Sequence, residues 1–121
     1  MKKIGAPKKT IKLLPSHWQL SLLELYRRGG SNKEAKALIY SWIGKFSNNL
    51  WGRWLKEEED FSEIIKEGRI LSEAWWEHKG RTNLMNKKFN ATLWFINMRN
   101  RFGWTYKQKI DRTIHREKVF R

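Results

Sequence analysis

The 121-residue sequence predicts an all-α protein with an N-terminal helix-turn-helix-like unit, a helical hairpin and a short C-terminal tail. Three observations lead to this prediction. Apolar residues recur at spacings of three and four, which is the period of an amphipathic helix. Ser, Asp or Asn stands before these stretches, as is typical of helix N-caps. The chain holds only 2 Pro and 8 Gly, so few positions interrupt a helix.

Residues 1–14 are rich in lysine, and we expect a flexible basic arm there. Ser16 and Gln19 then have the spacing of a capping box, in which each side chain bonds to the other's backbone. The predicted first helix ends at Gly29-Gly30, because glycine suits the end of a helix. Its apolar positions are Trp18, Leu22, Leu25 and Tyr26.

Two shorter helices are predicted next, and they complete a unit over residues 15–57. Ser31 and Glu34 form a second capping box, and Gly44 ends that helix. Ser47 is the expected N-cap of the third helix. The inward positions by period are Ala35, Leu38, Ile39 and Trp42 in the second helix, and Leu50, Trp51, Trp54 and Leu55 in the third.

A helical hairpin is predicted over residues 58–103. Its first helix begins at a cap signature on Asp60 and ends at Gly80. Its second is capped by Asn90 and ends at Gly103, and Phe89 is placed to pack against Trp94 as a hydrophobic staple. The first of these helices carries Phe61, Ile64, Ile65, Leu71 and Trp75 on one side. The tail, residues 104–121, is predicted to be either a strand or disordered.

The charge indicates a polyanionic partner, nucleic acid first and an acidic membrane surface second. Lys plus Arg is 26 and Asp plus Glu is 12, so the net charge is +14. Residues 1–56 have a balance of +10, residues 57–80 of −5 and residues 81–121 of +9. The sequence contains no run of about 18 apolar residues, so it predicts no membrane span. Residues 1–12 lack the apolar core of a signal peptide, so we expect action in a cytoplasm.

The third helix is the candidate DNA reader, because the second helix of a helix-turn-helix lies in the major groove. Asparagine can bind adenine and arginine can bind guanine, each through two hydrogen bonds. Trp51 and Trp54 face inward and are expected in the core. The candidate base readers are Ser47, Asn48, Asn49 and Arg53, with Lys45 and Lys56 on phosphates and Gly52 allowing close approach. The alternative is a plain three-helix core whose polar positions are only solvated.

The lysines of the arm are candidates for the minor groove or the phosphates, and the alternative is a solubilising tail. They are Lys2, Lys3, Lys8, Lys9 and Lys12. In the hairpin, two apolar stripes on each helix require cover on two sides, which neighbouring subunits would provide. The predicted oligomerisation residues are Ile64, Ile70, Leu71, Trp75, Trp76, Leu93, Trp94, Phe95, Met98 and Phe102. The alternative is a monomeric core with a solvated acidic face.

Several short segments of the C-terminal half together carry a resemblance to a known protein family. They are Phe61-Ser62-Glu63, Leu71-Ser72-Glu73-Ala74-Trp75-Trp76-Glu77, Gly80-Arg81, Phe89-Asn90-Ala91-Thr92-Leu93-Trp94 and Asn97-Met98-Arg99-Asn100-Arg101-Phe102-Gly103-Trp104. With the preceding helices, they make residues 16–104 resemble bacteriophage terminase small subunits. The resemblance implies recognition of a packaging site on double-stranded DNA, a ring-shaped homo-oligomer and delivery of DNA to the large terminase subunit. It also implies the cytoplasm of a bacterial host.

Catalysis is not expected. The sequence has no Gly-x-x-x-x-Gly-Lys-Ser/Thr run for nucleotide phosphates, and no Cys. His17, His78 and His115 lack the spacing of metal ligands. The four carboxylates of residues 57–60 suit the positive end of a helix dipole better than one metal ion. We therefore expect no cofactor and no metal. Two other functions compete with the packaging role: a dimeric helix-turn-helix transcriptional regulator, and a scaffold that neutralises nucleic acid.

Overall fold

The computed structural model describes residues 9–105, which are all-helical and confirm the predicted fold class over that range. A short 3₁₀ helix at Ile11–Leu13 precedes five α-helices. These are α1 at Trp18–Arg27, α2 at Asn32–Ile43, α3 at Asn48–Glu57, α4 at Glu59–Asn83 and α5 at Ala91–Phe102. The chain divides into two compact units, Met1–Trp75 and Trp76–Arg121. The prediction for the tail falls mostly on residues 106–121, outside the described residues.

Several of the predicted helix ends are confirmed, among them Gly44, which ends α2 at φ 84°. Ser31 Oγ accepts from the Glu34 N–H at 3.1 Å, and the Glu34 carboxylate accepts from the Ser31 N–H at 2.6 Å, which completes the capping box. Ser47 Oγ caps α3. Asn90 Oδ1 caps α5 by accepting from the Leu93 N–H at 2.9 Å. Gly103 ends α5 in the left-handed region at φ 73°, which glycine adopts without strain.

Three predicted helix ends are wrong. Asp60 does not cap α4, which already begins at Glu59, so Asp60 lies inside its first turn. Ser16 does not cap α1, whose N-cap is His17 without a side-chain bond. The Pro15 carbonyl accepts from the Trp18 N–H at 3.0 Å, so Ser16 lies inside a turn and not at the cap position. Gly80 does not end α4, which continues to Asn83. Gly80 keeps a helical backbone, and the absence of a side chain there allows close contact with the ring of Trp94.

The core of the first unit joins α1, α2 and α3 to the N-terminal part of α4. The rings of Trp51 and Trp54 both meet Phe61 edge-on, with centroids 5.3 Å apart in each pair. Tyr26 lies against Gly68 of α4. The buried Ser72 hydroxyl donates to the Gly30 carbonyl at 2.8 Å. Other fully buried side chains of this unit are Leu22, Ala35 and Ile39.

The boundary between the units differs from the predicted one at residue 58. Phe61, Ile64 and Ile65 belong to the same core cluster as the buried residues of α1, α2 and α3. The first unit therefore extends to Trp75. The physical reason is that the inward indoles of α3 pack against Phe61, so the first turns of α4 are a part of this core. Only the single residue Glu58 separates α3 from α4.

The prediction of a flexible arm over residues 1–14 is wrong for residues 9–14. Thr10 Oγ1 accepts from the Lys12 N–H at 3.3 Å and begins the 3₁₀ helix. Leu14 is buried in the core of the first unit, and Ile11 packs against that core. The structure thus orders residues 9–14, because their apolar side chains have a core to cover. Residues 1–8 lie outside the described residues.

In the second unit, the indole of Trp94 lies on Gly80. A Cβ atom added at Gly80 would come within 2.2 Å of that ring. The Trp94 Nε1–H donates to the Trp76 carbonyl at 2.8 Å. The ring of Trp104 meets Trp94 edge-on at 5.6 Å, and Phe89 lies 6.4 Å from it on a tilted plane, where the staple was predicted.

Candidate nucleic-acid interface

The outer face of α3 is exposed and carries no acidic side chain before Glu57. We define it as Lys45, Ser47, Asn48, Asn49, Gly52, Arg53 and Lys56, all exposed except the half-buried Arg53. Residues 49, 52, 53 and 56 follow helical spacing and therefore share one side of the helix. Ser47 uses its hydroxyl oxygen to cap the Leu50 N–H at 3.3 Å, so its first role is to begin the helix.

The inner face of α3 holds this outer face in place. Leu50, Trp51 and Trp54 are buried, as the helical period predicts. The indole of Trp54 is 1% exposed and lies between Phe61, at 5.3 Å, and Phe46, at 6.2 Å. Neither Trp presents a free ring for base stacking. A rigid apolar backing suits recognition, because exposed polar side chains on a fixed helix keep a constant register.

No close packing contact requires a glycine at position 52 of α3. A Cβ atom added there would meet nothing within 4 Å. Glycine in a helix interior costs about 0.5–1 kcal/mol relative to alanine. No contact among the described residues offsets that cost. The absent side chain leaves the backbone of α3 open to close approach by a partner, midway between Asn49 and Lys56.

Arg53 differs from the two asparagines, because its guanidinium is already engaged. It donates to the backbone carbonyl of Lys9. Its Nε also lies 3.7 Å from the Glu57 carboxylate, an ion pair of one helical turn. The same Lys9 carbonyl accepts from Trp54 Nε1 at 3.1 Å. Arg53 was predicted to read bases, whereas in this structure it fastens the start of the chain to α3.

The sequence alone could not predict the hydrogen bonds from Arg53 and Trp54 to the Lys9 carbonyl. Lys9 and Trp54 lie 45 positions apart, and no periodicity joins them. Lys9 and Lys12 are both exposed. Lys2, Lys3 and Lys8 lie outside the described residues, so their predicted role stays a prediction. Over residues 9–105, no three His, Asp or Glu side chains are grouped as metal ligands would be.

The predicted oligomerisation residues fall into three groups. Ile64 and Met98 are buried in this chain and have no free surface for a neighbour. Ile70 and Leu93 are open to solvent, at 69% and 62% exposure. The remaining six are half-buried: Leu71, Trp75, Trp76, Trp94, Phe95 and Phe102. The sequence pattern did not single out another exposed apolar pair, Leu84 and Met85, in the connection before α5.

Comparisons of the chain with protein-family models, curated proteins and solved structures give no match. Among residues 9–105, no helix combines the length and the apolar character needed to cross a membrane.

Proposed function

We propose that this protein is a DNA-binding homo-oligomer that contacts double-stranded DNA through the outer face of α3. The observation that carries the proposal is Gly52, an unpacked helical glycine between exposed polar side chains. In this arrangement Asn48 and Asn49 bond to base edges. The backbone at Gly52 approaches the DNA closely, and Lys45 and Lys56 bind phosphates.

The net charge of +14 supports the phosphate part of the proposal. Exposed Lys9 and Lys12 extend the positive surface from α3 toward the start of the chain. Lysines that neutralise phosphates release condensed counterions, so DNA affinity falls steeply as salt rises. Four phosphate contacts per subunit give an expected log–log slope of about −3.6.

Within that class, we propose the role of a bacteriophage terminase small subunit. Its support is the resemblance of residues 16–104, together with the helix-turn-helix-like order of α2, a four-residue connection and α3. In this role the protein binds the packaging site of viral DNA, forms a ring and passes DNA to the large terminase subunit in the bacterial cytoplasm.

The ring is supported by exposed apolar side chains. Ile70 and Leu93 expose most of their surface, and six further predicted contact residues are half-buried. A second copy of the chain is the cover that we propose for them. The four-residue connection between α2 and α3 equally suits a dimeric transcriptional regulator, which is the competing proposal.

Gly52→Ala tests the DNA face most directly. The substitution fills open space and improves helix propensity, so the free energy of unfolding should rise by up to about 1 kcal/mol. The affinity for duplex DNA should fall, because the added methyl group blocks close approach. Urea unfolding and DNA titration measure the two effects on one protein. Unchanged affinity in a stabilised variant would contradict contact at Gly52.

Asn49→Ala tests base reading. Loss of a bidentate adenine contact should cost about 1–3 kcal/mol on the preferred site and much less on random DNA. Selection of bound duplexes from a random pool identifies that site. Lys45→Ala is the matched control, because loss of a phosphate contact weakens binding to all sequences alike. If Asn49→Ala enriches the same duplexes as the wild type, α3 does not read bases.

The molar mass in solution tests the ring. Light scattering should give more than two copies at micromolar concentration. Leu93→Asp should reduce the mass, since it places a charge in the proposed contact. Leu20→Asp is the matched control, because Leu20 of α1 is 74% exposed and lies outside the predicted contact set. A dimer would favour the transcriptional regulator, and a monomer would rule out both assemblies.

A further inference from the structure

We propose that the connection between α4 and α5, residues 84–90, is a second DNA contact that bends the duplex. Leu84 and Met85 enter the minor groove and insert between base pairs, and Lys87 and Lys88 bind the phosphates beside them. The inference rests on the proposed function, because it assigns a second contact to the same DNA partner.

The connection begins with a tight turn that presents two apolar side chains to solvent. The Asn86 N–H donates to the Asn83 carbonyl at 2.9 Å, and the residues between them, Leu84 and Met85, form the tip. Leu84 is 60% exposed and Met85 is 95% exposed, so packing within the chain does not account for the pair. Turn tips usually carry Gly, Asn, Asp, Pro or Ser, which makes two apolar side chains here a feature to explain.

Hydrogen bonds of two asparagine side chains hold this turn to the end of α4. Asn83 Nδ2 donates to the Lys79 carbonyl at 2.8 Å, one helical turn earlier. Asn83 Oδ1 accepts from Asn86 Nδ2 at 3.4 Å. The apolar tip is therefore carried on a structured turn, as an inserting element requires, because a mobile loop would lose more entropy on binding.

A second turn follows at once and presents two lysines. The Phe89 N–H donates to the Asn86 carbonyl at 3.0 Å, and the exposed Lys87 and Lys88 form the tip. Asn86 Oδ1 accepts from the Lys88 N–H at 3.0 Å and supports this turn as well. Residues 78–105 contain six Lys or Arg and no Asp or Glu. A polyanion is therefore the partner whose charge complements this part of the chain.

The spacing of the two tips suits the minor groove. Each residue spans at most about 3.6 Å, so the Cα atoms of Met85 and Lys87 lie within about 7 Å of each other. The minor groove is about 6 Å wide, and phosphates border it on both sides. A side chain in the groove and a lysine two positions away can therefore contact one base step and its flanking phosphate together. Leucine and methionine are among the side chains that proteins insert between base steps.

An acidic membrane surface and a second copy of the chain are the competing partners. An interfacial anchor uses a broad apolar face, whereas this connection exposes two apolar side chains, and its Phe89 is half-buried near Trp94. The same turns of a second copy would bring like charges together. Duplex DNA needs one or two inserted side chains and supplies the phosphates for the lysines, so it fits best.

The test compares Leu84→Ala, Met85→Ala in the full chain with a matched control, Leu13→Ala, Leu20→Ala. The control also removes two exposed apolar side chains, but from outside the connection. A duplex of about 30 base pairs with a dye at each end reports bending by energy transfer. A fluorescent adenine analogue at a central TA step reports unstacking, and a duplex with a central mismatch reports the cost of insertion.

The wild type and the control should bring the duplex ends closer and raise the fluorescence of the analogue. Both should bind the mismatched duplex at least about fivefold more tightly than the paired one, since less stacking is lost. The Leu84→Ala, Met85→Ala variant should bind without bending and with less than about twofold preference for the mismatch.

The lysine part of the contact has its own matched pair. Lys87→Ala should reduce the log–log salt slope of DNA affinity by about 0.9, or about 3.5-fold in affinity change over fourfold salt. Lys66→Ala should leave the slope unchanged, because Lys66 lines one groove with the carboxylates of Glu59 and Glu63. Equal slopes in the two variants would remove the phosphate contact at Lys87.

Bending that survives Leu84→Ala, Met85→Ala would overturn the insertion. Binding to phosphatidylserine vesicles that depends on this pair, with unchanged DNA bending, would assign the connection to a membrane instead. A lower molar mass of that variant in light scattering would assign it to a contact between copies. If the wild type binds no duplex at low salt, the proposed function fails and the insertion with it. If it binds duplexes and leaves them straight, the insertion alone is wrong.

Discussion

Each of the two units has an aromatic ring lying on a glycine of α4. In the first, Tyr26 lies on Gly68, and in the second, Trp94 lies on Gly80. An added Cβ atom would come within 2.2 Å of a ring carbon in both cases. The surroundings of the two rings differ. Tyr26 is 1% exposed and its hydroxyl donates to Asn32 Oδ1 at 2.8 Å, whereas Trp94 is only half-buried.

The difference shows how far each unit completes its own core. The first unit surrounds its ring with a cluster of buried aliphatic and aromatic side chains. The second leaves Leu84, Met85 and Leu93 exposed near the ends of its helices. Burial of apolar surface is worth about 25 cal/mol per Å². The first unit exposes Leu13, Leu20 and Ile70 as well, so a second copy of the chain would gain by covering apolar surface of either unit.

Gly68→Ala should have the largest effect on stability. Tyr26 is held by its burial and its hydroxyl bond, so the ring cannot move away from the new methyl group. Overpacking of a filled core typically costs about 1–3 kcal/mol, and we expect about 3 kcal/mol here. Urea unfolding followed by tryptophan fluorescence measures this loss in the free energy of unfolding. A loss below about 1 kcal/mol would mean that the first core is as adaptable as the second.

Gly80→Ala should cost less, about 1–2 kcal/mol, although the clash is as short. The half-buried indole of Trp94 can tilt toward solvent, at the expense of its bond to the Trp76 carbonyl. The near-ultraviolet circular dichroism of the tryptophans should change with it. If the protein assembles through this unit, light scattering should also show weaker assembly. A greater loss of stability than with Gly68→Ala would reverse the comparison.

Ser72→Ala should have the smallest effect of the three, about 1 kcal/mol. It removes the buried hydroxyl that links α4 to the Gly30 carbonyl, with little change in volume. Thr82→Ala is a suitable control, because Thr82 is exposed and bonds only within α4 among its described contacts. Equal stability losses in the two variants would show that the link between α4 and the α1–α2 connection contributes little.

Helix identity was predictable because local signals agree. Ser31, Ser47, Asn90 and Gly103 act through hydrogen bonds to residues three or four positions away, which the sequence itself displays. The inward side of α3 followed from its apolar period. Ser16 misled because the Pro15 carbonyl accepts from the Trp18 N–H in a turn and the N-cap position falls on His17, which the capping pattern does not reveal.

The site was predictable only in part. The exposure of Asn48 and Asn49 follows from helical spacing, and so does the burial of Trp51 and Trp54. The engagement of Arg53 does not, because its partner is a backbone carbonyl 44 positions away. Gly80 illustrates the same limit. Its local sequence fits a helix end, and only the ring of Trp94 reveals why a glycine is needed inside the helix.

The packing of Trp51 and Trp54 on Phe61 sets an order for folding during synthesis. The three N-terminal helices leave the ribosome before the segment that covers their indoles. The link from Ser72 to Gly30 spans 42 positions and forms later still. Until Phe61 has emerged, the nascent chain therefore lacks the ring on which both indoles pack, and the apolar surface left open favours association.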